Sequence, residues 1–162
     1  SGTVLLLTYG QNKTYWLKFF PALMSFCALF CISLFIKFFS EIFPVEFADI
    51  NVVMPDALVS WIFCLLNFLF AAFYEEIVYR MYFPDGLIDL LQHLITGKKL
   101  NIICEIAGCL VFALAHIYMG VYAVINAFFA HIVLRFCYKK CGSIWYGFAA
   151  HFAYNVVSLI LL

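Results

Sequence analysis

Two adjacent glutamates follow a long uncharged stretch of this sequence. Residues 57–74 carry no formal charge, and then come Glu75, Glu76 and, four positions after the second glutamate, Arg80. Residues four apart in a helix share a face, so Glu76 and Arg80 can form an ion pair. Glu75 lies about 100° round the same helix and has no cation near it in the sequence. The spacing therefore predicts a paired glutamate, Glu76, and a second one, Glu75, that can act as a general base.

Two histidines and an amide are the other candidates for chemistry, because each lies in an apolar stretch. His116 has Phe112 four positions before it, and His151 has Asn155 four positions after it. Each pair therefore shares a helix face. Polar groups inside a bilayer must satisfy one another, since nothing else there does. A carboxylate, two imidazoles and an amide can together activate water and stabilise an oxyanion.

A structural role would account for the same residues. Glu75, Glu76 and Arg80 could form a charge cluster that holds a helix end at the cytoplasmic interface, and each histidine could be a packed core residue. His131 has no companion of the kind that His116 and His151 have, and it is interpreted as a packing or helix-contact residue. The residues by themselves leave both interpretations open.

Several familiar catalytic patterns do not occur in the sequence. It contains no HExxH zinc-protease motif, no GxSxG nucleophile motif and no GxGD aspartate motif. The seven cysteines form no CxxC pair, and their odd number does not suit a disulfide framework. They are predicted to be small packing residues.

The composition indicates that the elements carrying these residues lie in a membrane. The chain is 67% hydrophobic and 11% charged, whereas a soluble domain is about half apolar and about a quarter charged. Its net charge is zero, so nothing indicates a nucleic-acid partner. The predicted fold class is all-α: a polytopic membrane helix bundle of five to six transmembrane helices with a polar active site inside.

Five stretches are long and apolar enough to be spans, since a spanning helix needs about 20 apolar residues. They are residues 19–36, 57–79, 100–119, 121–137 and 142–162. Residues 1–16 are predicted to be an N-terminal flank, interpreted as the end of a truncated helix. Residues 17–162 are predicted to be a single transmembrane domain.

The connections between these spans alternate in charge. Residues 38–56 carry acidic groups and no basic one, whereas residues 80–99 and 135–140 are basic, as is the N-terminal flank. Basic connections favour the cytoplasmic side. The N-terminal flank is therefore predicted to be cytoplasmic. Residues 82–95 look amphipathic and are predicted to form a short helix at the interface.

The depth of Glu75 and His116 in the membrane constrains the length of the second span. If its helix ended at Arg80, Glu75 would lie near the cytoplasmic surface, and His116 would lie about 24 Å up the next helix at about 1.5 Å per residue. The two could not then share a water. We therefore predict one long segment over residues 57–94, kinked at Pro84, with the Glu75 carboxylate within about 4–5 Å of the His116 imidazole.

Three motifs, in this order, resemble those of the CPBP family of CAAX proteases and bacteriocin-processing proteins, also called Abi. EEIVYR matches the family's EExxxR motif, FALAH matches FxxxH, and HFAYN matches HxxxN. The turn KKCGSIW before the third motif also resembles the family's TGSL approach. The resemblance covers the motif core, residues 57–162.

The resemblance implies an intramembrane endopeptidase and a role for each motif residue. Glu75 resembles the glutamate that activates water together with His116, and His151 and Asn155 resemble the oxyanion-stabilising pair. Structural support of the site is expected from three residues: Glu76, Arg80 and Phe112. No cofactor is expected. The alternative is zinc ligated by Glu75, His116 and His151.

The expected substrate is a membrane-associated or lipid-linked protein or peptide, cut in CAAX-type, leader or C-terminal sorting-tail processing. The expected setting is the lipid bilayer of a bacterial cytoplasmic membrane. One alternative is a non-catalytic immunity or scaffold protein with the same fold. Another is a proton-coupled transporter that relays protons through Glu75 and the histidines, although the sequence shows no inverted repeat.

Overall fold

The computed structural model describes residues 15–45, 54–95 and 97–161, with the side chains of residues 15–18 left aside. Every regular element in these ranges is helical, which confirms the all-α fold class. The elements are α1 (Tyr15–Ile42), α2 (Leu58–Glu75), a π-helical turn (Glu76–Tyr82), α3 (Phe83–Leu91), α4 (Lys98–Leu114), a 3-10 turn (Ile117–Met119), α5 (Val121–Cys141) and α6 (Ile144–Leu161).

Four helices in the described part of the chain are long and apolar enough to cross a membrane. They are Phe19–Ile42, Leu58–Leu91, Val121–Cys141 and Ile144–Leu161. Large apolar side chains point outward along them, for example Leu58 and Phe63 with 77% and 68% of their surface exposed. Such faces suit lipid as the solvent.

The predicted boundaries of several spans were wrong. The span predicted over residues 100–119 is the 17-residue helix α4, which starts with two lysines and ends at Leu114. The chain then turns, and Gly120, with φ of 98°, separates this turn from α5. The first helix continues to Ile42, past the predicted end at residue 36. The N-terminal flank falls almost wholly outside the described residues.

The second span is one long helical segment, Leu58–Leu91, which confirms the continuous segment predicted over residues 57–94, whereas the kink at Pro84 stays a prediction. Its irregularity is the π-helical turn, in which the Phe83 N–H bonds the carbonyl of Val78, five residues earlier. Pro84 lies just beyond this turn and has no N–H to continue an α-helical ladder. Proline and π-bulges are the usual causes of a kink, and here both are present.

Two arginines that count as charges of cytoplasmic connections in the sequence are buried. Arg80 has no exposed surface and Arg135 has 6%. The interpretation of these two as loop charges was wrong, because both lie in helices: Arg80 pairs with Glu76 of its own turn, and Arg135 bonds the Arg80 carbonyl of a neighbouring helix. The exposed basic groups at that end are lysines, such as Lys98, Lys99 and Lys139.

The bundle core lies between α1, α5 and α6. Leu29 of α1, Leu134 of α5 and Tyr154 of α6 belong to one buried cluster. Ser33 and Asn126 both bond the Tyr154 hydroxyl, so a polar contact joins the same three helices. Four of the seven cysteines, Cys104, Cys109, Cys137 and Cys141, are buried and fit the predicted packing role, whereas Cys27 and Cys31 are exposed on α1.

Candidate active site

Glu76 and Arg80 form a fully buried ion pair at the start of the π-helical turn. Arg80 Nε lies 3.3 Å from Glu76 Oε1, and neither side chain is exposed. The predicted pair is therefore present. The terminal guanidinium nitrogens make no hydrogen bond with the described residues. Instead the guanidinium carbon lies 4.0 Å from the centre of the Phe112 ring, which gives a cation–π contact.

His151 lies between the two glutamates. Its Nδ1 is 3.1 Å from Glu76 Oε1, and its Nε2 is 3.7 Å from Glu75 Oε2. The carboxylate of Glu76 can only accept, so Nδ1 carries the hydrogen of that bond. This fixes the orientation of the imidazole and directs Nε2 towards Glu75. Glu75 keeps 21% of its side-chain surface exposed.

A glycine allows α6 to approach Glu76 this closely. A Cβ atom built on Gly147 would lie 2.6 Å from Glu76 Oε2, nearer than real Cβ contacts come. Gly147 is one helical turn before His151, so the same contact that needs the glycine also brings the imidazole to the carboxylates.

His116 lies just after the end of α4 with its backbone at φ −98° and ψ 7°. Active-site residues are often found in this sparsely allowed region. Its Nδ1 bonds the Phe112 carbonyl oxygen at 2.9 Å. A carbonyl only accepts, so Nδ1 is the N–H donor. Nε2 can then accept a hydrogen bond when the ring is neutral and donate one when the ring is protonated.

The Phe112 ring connects the first two motifs. Its centroid is 4.8 Å from the His116 ring, 5.0 Å from the Tyr79 ring and 4.0 Å from the Arg80 guanidinium. These contacts place the end of α4 beside the turn that begins at Glu76, directly after Glu75. The two motifs therefore lie at similar depth in the bundle, as the sequence analysis predicts.

Two predicted contacts are not formed directly. His116 and Glu75, both in the described residues, share no ion pair or hydrogen bond, so the predicted separation of about 4–5 Å through one water stays a prediction. Asn155 is half-buried on α6, one turn after His151, and its amide bonds no described group. Its role as an oxyanion donor also stays a prediction.

Two buried residues beside the site, His131 and Arg135, are not assigned to it in the sequence analysis. His131 is 2% exposed and its ring lies 5.5 Å from that of Phe112, which agrees with its interpretation as a helix contact. Arg135 bonds the main chain of the π-helical turn. Arg135 lies four residues after His131, but the helical spacing does not show that Arg135 reaches the turn of another helix, so only the tertiary structure reveals that contact.

The described residues hold no group of three or more His, Cys, Asp or Glu side chains arranged to bind a metal ion. Glu75 and His151 approach each other, but His116 does not join them as a third ligand. Zinc sites of the catalytic type use three protein ligands, and the choice between no cofactor and zinc stays a prediction.

The fold and the site together define an integral membrane protein in which carboxylates and imidazoles meet inside a helical bundle. Residues 57–157 match the family model described as type II CAAX prenyl endopeptidase Rce1-like, so the chain belongs to the Rce1-like family. This confirms the resemblance to CAAX proteases and makes the protein a CAAX-type intramembrane endopeptidase in general terms. Comparisons with curated proteins and with solved structures each give no match.

Proposed function

We propose that the protein hydrolyses a peptide bond of a membrane-associated protein or peptide, using a water activated by Glu75 and His116. The observation that carries the proposal is the position of His151, whose two nitrogens face Glu76 and Glu75. This contact joins the first motif to the third, and the Phe112 ring joins the first to the second. All three motifs therefore converge on one place in the bundle.

In the proposed reaction, Glu75 accepts a proton as the water oxygen attacks the carbonyl carbon of the scissile bond. His116 Nε2 bonds the same water. The carbonyl oxygen becomes an oxyanion, which accepts hydrogen bonds from the Asn155 amide and from Nε2–H of His151, whose ring is in its doubly protonated form with Nδ1–H donating to Glu76. The C–N bond then breaks, and Glu75 passes its proton to the leaving amine.

The supporting residues hold these groups in place. Glu76 carries the negative charge that orients His151 through Nδ1, and Arg80 balances that charge inside the bundle. The Arg80 guanidinium also contacts the ring of Phe112, and the main-chain carbonyl of Phe112 orients His116. Each proposed catalytic histidine is thus held through Nδ1, and its Nε2 is the nitrogen that acts in the proposed reaction.

The proposed substrate is a protein or peptide held at the bilayer, for which CAAX-type, leader or sorting-tail processing are the candidate settings. The family supports a membrane-associated peptide as the substrate class. The proposed location is a bacterial cytoplasmic membrane, with the N-terminal flank and the lysine-bearing turns in the cytoplasm.

The test is a cleavage assay with the protein reconstituted in lipid bilayers. The probe is a farnesylated peptide ending in a CAAX sequence, with the same peptide lacking the lipid as a second arm. Wild-type protein should cleave, and Glu75→Gln should lose at least about 100-fold of the activity, because the amide cannot accept the proton of water. The matched control is Glu41→Gln, the same change at an exposed position of α1.

Two results would contradict the proposal. Glu75→Gln with more than about a hundredth of the wild-type activity would remove Glu75 from the role of base. Failure of the wild-type protein to cleave either peptide, together with identical membrane peptides in cells carrying wild type and Glu75→Gln, would contradict endopeptidase activity.

A further inference from the structure

Pro84 lies at the junction between the π-helical turn and α3 and has no N–H, so it interrupts the main-chain hydrogen bonding of this segment. The Arg80 carbonyl belongs to this junction, because an α-helical register would pair it with the N–H that residue 84 lacks. The turn from Glu76 to Tyr82 is π-helical at this point. Buried carbonyl groups nearly always find a donor, and a site inside a bilayer offers few.

Arg135 of α5 donates to this carbonyl. Its Nη1 bonds the Arg80 oxygen, and Nη2 bonds Asp85 Oδ1, just after Pro84, at 3.0 Å. The remaining nitrogen, Nε, and also Nη2 bond the Glu105 carboxylate of α4, at 3.1 Å and 2.8 Å. One planar guanidinium therefore joins the turn to α3, α4 and α5.

This set of contacts is more specific than a charge that orients a membrane protein. Arg135 is only 6% exposed, whereas the neighbouring Lys139 keeps 54% of its side-chain surface exposed and bonds Glu105 alone. Lys139 would serve as well as Arg135 for orientation or for neutralising Glu105. Only Arg135 reaches the main chain of the residue that pairs with Glu76.

We propose that Arg135 is a positioning residue for the active site. By holding the Arg80 carbonyl at the junction that Pro84 interrupts, it maintains the π-helical turn. This turn carries Glu76 and Arg80 and begins directly after Glu75. Its geometry sets where the two carboxylates meet His151. We call the contacts of Arg135 with the Arg80 carbonyl, Asp85 and Glu105 the Arg135 clamp. The expected effect on catalysis rests on the proposed function, whereas the existence of the clamp does not.

The experiment compares Arg135→Lys and Arg135→Ala with the matched control Lys139→Ala, all in bilayers. Two quantities are measured: kcat and KM for the CAAX peptide, and amide hydrogen exchange of the peptide covering residues 76–84. Lysine keeps the charge but cannot donate to the Arg80 carbonyl, Asp85 and Glu105 at the same time. Arg135→Lys is also the variant that should fold if Arg135→Ala does not.

We expect Arg135→Lys to exchange faster in residues 76–84 than wild type, with the other helices unchanged. Its kcat should fall by about 10-fold or more while KM changes by less than about twofold, since misplaced catalytic groups affect the chemical step. Lys139→Ala should match wild type in both measurements, because an exposed ion pair contributes little.

Each other outcome overturns the proposal. Unchanged exchange in residues 76–84 would show that Arg135 does not hold the turn. Faster exchange there with unchanged kcat would remove the positioning role, and faster exchange throughout the bundle would make Arg135 a general stabiliser. If the wild-type protein cleaves nothing, the proposed function fails, while the exchange measurements still decide whether the clamp exists.

Discussion

Glu75 and Glu76 are neighbours in the sequence but lie in different surroundings. Glu76 is fully enclosed by Arg80, His151 and the Gly147 backbone, and every approach to its oxygens is occupied by protein. Glu75 keeps part of its surface exposed and faces His151 Nε2 across 3.7 Å. A proton acceptor must meet water and substrate, so Glu75 is the glutamate suited to act as base.

Arg80→Ala should destabilise the protein more than it affects the chemistry of the remaining groups. The change removes the guanidinium beside the fully buried Glu76 and leaves that carboxylate with His151 alone, a loss of about 3–5 kcal/mol where a buried pair is broken. The loss of stability is measured by heating the protein in detergent and recording how much of the monomer peak remains in size-exclusion chromatography. The paired change Arg80→Met with Glu76→Gln should recover most of the stability, because no buried charge is left.

A stable, correctly inserted Arg80→Ala protein would contradict this account of the ion pair. So would a paired variant that is no more stable than Arg80→Ala alone, since the loss would then come from packing on Phe112 and not from the charge.

Chelation should leave the activity intact. The proposed reaction uses the carboxylate of Glu75 and the imidazole of His116 to activate water, and the described residues do not form a three-ligand metal site. Cleavage measured after treatment with EDTA or phenanthroline should equal that of untreated protein. Loss of activity that zinc alone restores would overturn the metal-free mechanism.

At the scale of single residues, the sequence predicts contacts within one helix and not those between helices. The Glu76–Arg80 pair follows from a spacing of four residues, and so does the contact between the His116 and Phe112 rings. The position of His151 between the glutamates depends on how α6 packs. No periodicity carries that information, so the motif order suggested a common site without giving its geometry.

At the scale of elements, the approach of α6 to the π-helical turn is the contact that assembles the site. It depends on Gly147, because a side chain there would meet the Glu76 carboxylate. Glu76 is buried and held by Arg80 and His151, so it cannot move aside easily. The close approach therefore requires a glycine for space, although its backbone is ordinary helix.

Gly147→Ala should lower the activity strongly while the protein still inserts into the membrane. The added methyl group would lie 2.6 Å from Glu76 Oε2, so α6 must shift, and His151 would move away from the carboxylates. A displacement of about 1 Å at a catalytic group can cost about 100-fold in rate. The measurement is kcat for the CAAX peptide.

Gly86→Ala is the matched control for this change. Gly86 lies in the middle of α3, and a Cβ there would meet nothing within 4 Å. The same substitution should leave activity unchanged and stabilise the helix by about 1 kcal/mol. Full activity in Gly147→Ala would show that the site tolerates a displaced α6 and would contradict the packing argument.

The elements were predictable where hydropathy and length decide and unpredictable where packing does. The long segment through Pro84 followed from the need to bring Glu75 and His116 to one depth. The kind of irregularity did not, since a proline indicates a break but not a π-helical turn. The burial of Arg135 was missed because a charge near a span end is ordinarily assigned to a loop.

At the scale of the whole molecule, α1 and α5 serve as the frame against which α6 is held. Ser33 of α1 and Asn126 of α5 both contact the Tyr154 hydroxyl of α6, three residues after His151. Hydrogen bonds between helices in a bilayer contribute about 0.6–2 kcal/mol each. This polar contact fixes the rotation of α6 and so keeps His151 directed towards the glutamates.

The orientation of the bundle in the membrane decides from which side a substrate reaches the site. The turns at Gly97 and Gly142 carry the exposed lysines, Lys98 and Lys99 in one and Lys139 and Lys140 in the other. Basic turns remain in the cytoplasm, and α3, with the clamp formed by Arg135, then lies in the cytoplasmic half of the layer. Epitope tags inserted at these two turns should be protected from added protease in intact cells and cut in inverted vesicles. A tag within residues 46–53, between α1 and α2, is the internal control and should behave in the opposite way. Cutting of the two lysine-bearing turns in intact cells would place the opening of the site outside the cell and exclude substrates that are made and lipidated in the cytoplasm.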